Sequence, residues 1–253
     1  MNRLKVILEK GIVNTIGNFS KDISKIRCFT YHNVSDSVVE KYTLLKKDFE
    51  NHIKFIYKNH YETIDSDILV TKDYEILSKK QIICLTFDDG FKSNLFVADL
   101  LSEYKLKAIF FITTSFVNKN GYLDWKEIKE LFYRGFEIGS HSHTHRNLRM
   151  LSKEEIYNEL YISKDILQNR LGKEIKSFAF PFGKKNSINE LAFEMLEKTN
   201  YSIAYTQFGG HIPRNINLFK IPRIGINSTD NVYYFKKKIE GYYDLFKNLT
   251  YFP

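Results

Sequence analysis

Short apolar runs rich in β-branched and aromatic residues alternate along the chain with amphipathic helical segments, and this alternation is the strongest constraint on the fold. The strand-like runs are IRCFTYH (26–32), QIICLTFD (81–88), KAIFFIT (107–113), FEIGSH (136–141), SFAFPFG (177–183), SIAYT (202–206) and KIPRIGI (220–226). Several lack the alternation of a half-exposed strand, which predicts a sheet covered on both faces. Helices are expected over 47–59, 93–104, 125–135 and 152–172, then from Ser187 to Lys198 and from about Asn231. Ser152 with Glu155, and Ser187 with Glu190, have capping-box spacing. Gly135 and Gly172 suit left-handed caps. About seven strand–helix units argue for a parallel barrel or a doubly wound sheet. The reading is a short N-terminal extension (1–25) followed by one domain (26–253).

With 253 residues, 43% of them hydrophobic, the chain can bury a large core, and 21 Phe with 17 Tyr exclude a disordered protein. Cys28 and Cys84 sit in apolar runs without C-x-x-C spacing, so neither a thiolate metal site nor a disulfide framework is expected. The first residues interrupt every apolar run before it reaches signal-peptide length, and no stretch approaches a membrane span. A cytoplasmic protein is therefore expected, with peripheral contact at the inner membrane face as an alternative. A net charge of +8 fits attraction to lipid headgroups, sugar phosphates or acidic glycans, or solubility alone. No long basic run points to nucleic acid. Nothing in the sequence sets an oligomeric state.

In folds of this class, polar chemistry collects where strands end at the carboxyl edge of the sheet. Tyr31-His32, Asp88-Asp89, His141 and Pro181-Phe182-Gly183 all stand at such ends. TFDDG (86–90) is either a surface turn or a pair of diverging carboxylates, one ligating a metal and one facing water. GSHSHTHRNL (139–148) carries His141 and His145 four residues apart, on one face if the chain turns helically there. His143 would then point elsewhere. Two imidazoles and one carboxylate make a three-ligand set with a position left for water, the pattern of a catalytic site.

TFDDG, then His141-Ser142-His143-Thr144-His145, then a Pro-aromatic-Gly strand end resemble the polysaccharide deacetylases, the NodB-homology or carbohydrate esterase 4 group. The resemblance covers about 80–226, taken as the catalytic core. FEIGSHSHTH and FAFPFG look most like the branch acting on exopolysaccharides and poly-N-acetylglucosamine. It implies a distorted (β/α)7 barrel, with Asp89, His141 and His145 holding one divalent metal, zinc or a similar ion such as cobalt or nickel. It also implies attack by water activated at that cation, with Asp88 as general base. The oxyanion would rest on the metal and a backbone N–H near Phe182, because Pro181 has none. Gly183 completes that substrate-side strand end, and Ser142 would orient the histidine loop.

The chain departs from the family pattern in two places. Ala179 stands where many members carry an arginine that orients the base, and Arg223 is the candidate replacement. The late leucine-rich strand ending in an acid histidine is missing. His32 or His211 is a candidate acid, as are solvent and protonated Asp88. Trp125 is either an aromatic wall for the sugar or a core residue.

The expected activity is removal of acetyl from an N-acetylhexosamine glycan or its lipid-linked precursor. A deformylase of a lipid-linked amino sugar, a sugar-binding barrel without catalysis, and more distantly a phosphohydrolase are the competing readings. The aromatic–lysine tail YYFKKKIEGYYDLFKNLTYFP would either lie at a membrane interface or pack over the barrel end.

Overall fold

The computed structural model describes residues 25–71, 81–213, 215 and 217–247. Apart from Lys25, the expected N-terminal extension lies outside the described residues, as do the last six residues of the tail. In chain order the elements are β1 (Arg27–Tyr31), β2 (Val34–Ser35), β3 (Leu44–Leu45), α1 (Lys46–Lys58), β4 (Glu62–Ile64) and α2 (Ser66–Thr71). They continue with β5 (Ile82–Phe87), α3 (Asn94–Glu103), β6 (Ile109–Ile112), α4 (Trp125–Tyr133), β7 (Glu137–Ser140) and α5 (Lys153–Leu171). The last are β8 (Ser177–Ala179), α6 (Glu190–Lys198), β9 (Ile203–Thr206), β10 (Ile221–Gly225) and α7 (Val232–Ile239).

Seven parallel strands close into a barrel in the order β1-β5-β6-β7-β8-β9-β10, with β10 returning to β1. This is the distorted (β/α)7 architecture. The distortion has a visible source in β4, which pairs with Ile82–Cys84 of β5 while β6 pairs with Thr86 and Phe87. β1 already runs along the other edge of β5, so β4 wedges between β5 and β6 at their amino ends. The sequence reading has no strand there, because three residues carry too little pattern to register.

The period-two pleat divides the strand residues between two cores. Cys28, Ile82, Cys84, Ile109, Phe111, Ala179, Ile203, Tyr205 and Ile221 fill the lumen. Their neighbours Phe29, Ile83, Leu85, Phe110, Phe178 and Ala204 face the helices. Continued toward the carboxyl end, the inward series runs 84-86-88, 28-30-32, 139-141, 179-181 and 221-223. Asp88, His32, His141, Pro181 and Arg223 are thus delivered to one mouth of the barrel by pleat parity alone.

α5 starts with the expected capping box, Ser152 accepting from the Glu155 N–H, and ends at Gly172 in the left-handed region. α6 corrects the sequence reading: Ser187 closes a separate 3₁₀ turn, and Asn189 caps the helix by accepting from the Ala192 N–H. Asn189 competes well because its amide is among the strongest N-caps. At the opposite end of the barrel, Arg27 binds Asp244 (2.7 Å), so this part of the tail packs under the barrel. No helix among the described residues is long and apolar enough to cross a membrane.

Candidate active site

Asp88 and Asp89 follow the last residue of β5, and their side chains part as expected. Asp88 turns into the lumen and meets Arg223 in a two-pronged ion pair, Nη1 to Oδ1 at 2.7 Å and Nη2 to Oδ2 at 2.9 Å. Arg223 also donates to the Thr86 hydroxyl (3.0 Å) and the Thr206 carbonyl (3.2 Å), and lies over the rings of Phe111 and Tyr205. Both partners are almost fully buried. Burial alone would raise the Asp88 carboxyl, but the Arg223 charge, followed by those of His141 and His32, holds it below its ordinary value.

Asp89 has φ +75° and aims Oδ1 at the histidine loop, 3.5 Å from His141 Nε2 and 3.3 Å from His145 Nε2. His141 donates its other ring nitrogen, Nδ1, to the Ala179 carbonyl (2.8 Å), which leaves Nε2 as a bare lone pair. Burial pushes this imidazole down to about 4, favouring the neutral form that a ligand needs. Burial also opposes charge on His145, yet its close contact with Asp89 and the charges of both aspartates lift it above the ordinary value. For Asp89, burial is outweighed by the close contact of His145 and the charge of His141, so the carboxyl stays far below its usual range.

The convergence does not come from a helical turn, as the four-residue spacing suggested. Ser142 (φ +65°) and His145 (φ +60°) are left-handed and fold the loop back on itself. The His145 N–H donates to Ser142 Oγ (3.0 Å), and the Ser142 N–H reaches Ser140 Oγ (3.3 Å). His143 points away and pairs with Thr114 Oγ1 (2.9 Å). Of nine non-glycine residues with positive φ among the described residues, Asp89, Ser142, His145 and Phe182 lie here, a concentration typical of functional sites.

Asp89, His141 and His145 each present one donor atom, all within 4.8 Å of one another. Among the described residues, Asp89 Oδ1 is a buried oxygen without a hydrogen-bond donor. A tetrahedron with bonds of about 2.0–2.1 Å has edges of about 3.3–3.4 Å. The spacings of Asp89 Oδ1 from the two imidazole nitrogens, 3.3 and 3.5 Å, fit such a cation.

Phe182 has φ +60°, and the Gly183 N–H closes a tight turn onto the Pro181 carbonyl (2.7 Å). Among the described residues the Phe182 N–H has no acceptor, while its half-exposed ring stands 5.0 Å from that of His145. His32 lies beside both aspartates, stacked on Tyr42 (5.0 Å), with Nδ1 buried and unpaired.

Two alternatives left open by the sequence are narrowed. His211 pairs with Asp244 (3.3 Å) beside Arg27, at the amino end of the barrel, and cannot reach the aspartates. Trp125 packs in the outer helical layer under the Arg170 guanidinium (5.1 Å), so its contacts are those of a core residue and not of a sugar wall. The sequence motifs do not include one further participant. Glu159 of α5 accepts from the N–H groups of His143 (2.9 Å) and Thr144 (2.7 Å). A glutamate on the apolar stripe Ile156–Leu160–Ser163–Leu167 was the available signal.

The polysaccharide deacetylase family profile matches residues 77–204, half of the chain, and spans both the aspartate pair and the histidine loop. This chain belongs to the polysaccharide deacetylase family. As such a family member it is similar to YxkH of Bacillus subtilis (strain 168), 26% identical over 208 residues that cover 81% of this chain and 72% of that one. A Bacillus cereus (strain ATCC 14579) peptidoglycan-N-acetylglucosamine deacetylase is 32% identical over 130 residues, 51% of this chain and 57% of that protein. Among solved structures, the Streptococcus pyogenes deacetylase PplD in complex with acetate superimposes with a TM-score of 0.77 at 20% identity, over 85% of this deacetylase-family chain and 98% of PplD. That likeness carries the fold.

Proposed function

We propose that the chain is a metal-dependent N-deacetylase of N-acetylhexosamine units in a glycan or in its lipid-linked precursor. The observation that carries this reading is the pairing of a three-donor cluster, Asp89, His141 and His145, with a neighbouring carboxylate, Asp88, kept ionised by Arg223. Those three residues would hold one divalent cation of the zinc class, which when bound supplies Lewis-acid polarisation of the amide carbonyl and an acidified water. Asp88 would take the proton of the attacking water, and Arg223 fixes which way its carboxylate points. The Phe182 N–H donates to the oxygen that gains charge on attack. His32, whose charge acts on both aspartates, is the candidate for returning a proton to the departing amine.

The family membership and the named activity of the Bacillus cereus relative support an acetyl group on glucosamine. The net charge of +8 supports substrates on anionic carriers or surfaces. A deformylase would use the same residues with a smaller acyl pocket. Incubating the purified protein with N-acetyl and N-formyl forms of chitooligosaccharides and of lipid-linked hexosamine separates these readings. Acetate release is expected; formate alone selects the deformylase, and neither product selects a sugar-binding barrel.

A further inference from the structure

Glu159 is an anomaly on its helix. It lies on the core face of α5, 6% exposed, between Ile156 and Leu160, where an apolar residue would pack without cost. Among the described residues no lysine or arginine pairs with it. Its oxygens are satisfied instead by the histidine loop: Oε2 accepts from the His143 N–H (2.9 Å) and the Thr144 N–H (2.7 Å), and Oε1 from the Thr144 hydroxyl. These two peptide groups lie between left-handed Ser142 and His145, a conformation that costs free energy at each residue and must be held from outside. No other acceptor is present for either N–H among the described residues.

We propose that Glu159 is a positioning residue that sets the histidine loop in its metal-ready shape, so that His145 Nε2 meets Asp89 Oδ1 and His141 Nε2. The proposal rests on the metal-site reading above. Its chemistry is that of an acceptor of paired N–H groups and not of a charge, because a single oxygen accepts both bonds. Glutamine would keep that oxygen and turn its NH2 toward the Thr144 hydroxyl, which can accept. Leucine would fill the space and leave two N–H groups stranded.

The test is a Co²⁺ titration of metal-depleted protein, followed by visible absorption, on wild type, Glu159→Gln and Glu159→Leu. The expected result is a Kd raised about 10–100-fold in Glu159→Leu, the usual effect of losing a support of a metal ligand. Glu159→Gln should stay within about threefold of wild type, since the N–H bonds survive. Equal affinity in wild type and a folded Glu159→Leu overturns the proposal, as does an equal loss in both variants, which would make the charge the active feature. Should circular dichroism find Glu159→Leu unfolded, Thr144→Val decides. It removes the Oε1 bond alone and is expected to weaken Co²⁺ about two- to fivefold, and unchanged affinity counts against the proposal. Absence of Co²⁺ binding by wild type removes the metal reading itself, and this inference with it.

Discussion

Asp88 can act as a base only while ionised, and it sits where burial favours the neutral acid. The Arg223 fork reverses that preference and also fixes the carboxylate in one orientation. Replacing Arg223 with leucine strands a buried carboxylate, and a loss of about 3–5 kcal/mol is expected in chemical denaturation, together with loss of acetate release. Arg223→Lys restores a charge but not the fork, so stability should recover further than kcat. A variant with normal kcat and a lowered midpoint would reduce Arg223 to a structural ion pair. At this scale the aspartate pair and the two histidines were readable from spacing, because strand ends collect chemistry. Arg223 was legible only as the candidate replacement for the arginine missing at Ala179, and its pleat parity with the lumen-facing Ile221 needed the structure. The position of His211 was not legible, because spacing does not tell which end of a barrel a loop closes.

Turns, more than helices or strands, shape the site. The Pro181–Gly183 turn leaves the Phe182 N–H unspent, and it exists because Gly183 (φ +61°) has no Cβ. A Cβ there would lie 2.8 Å from Gln207 Cγ and 2.9 Å from the Gln207 nitrogen. Gly183→Ala is therefore expected to cost about 1–3 kcal/mol and to lower kcat while leaving metal content unchanged. Unaltered kcat in a metal-replete Gly183→Ala protein would remove this turn from the oxyanion role. The histidine loop makes the same point: the four-residue spacing suggested a helical turn, and two left-handed residues did the folding instead. Propensity gives no warning of a left-handed serine or histidine, since tertiary partners such as Glu159 impose it. The capping box of α5 was legible because it is wholly local, and Asn189 displaced Ser187 at α6 by the same local competition.

Across the whole molecule, seven short apolar runs narrowed the fold to a parallel barrel or a doubly wound sheet, since covered parallel strands leave few other architectures, and the family resemblance pointed to the barrel that the strand order shows. The wedge strand β4 and the division into lumen and outer cores needed the structure. One consequence of so complete a burial is a pH dependence remote from the site. His52 of α1 lies stacked on Phe235 (4.1 Å) and bonded to the Tyr31 hydroxyl (3.2 Å), and burial lowers it from 6.5 to about 4. Between those values the unfolded chain binds a proton that the folded chain refuses. Stability should therefore fall as pH drops from about 6.5 toward 4, by about 3 kcal/mol from this residue, with no further loss from it below 4. Urea midpoints across that range should slope less in His52→Phe than in wild type; identical slopes would refute the assignment.

The central claim, one cation held by Asp89, His141 and His145 with Asp88 as the base beside it, is tested most directly by elemental analysis paired with acetate release for wild type and Asp88→Asn. The account predicts about one zinc-class ion per chain in both proteins, with acetate released by wild type and reduced at least about 100-fold in the variant. Wild type without a bound ion, or Asp88→Asn that releases acetate at the wild-type rate, would contradict it.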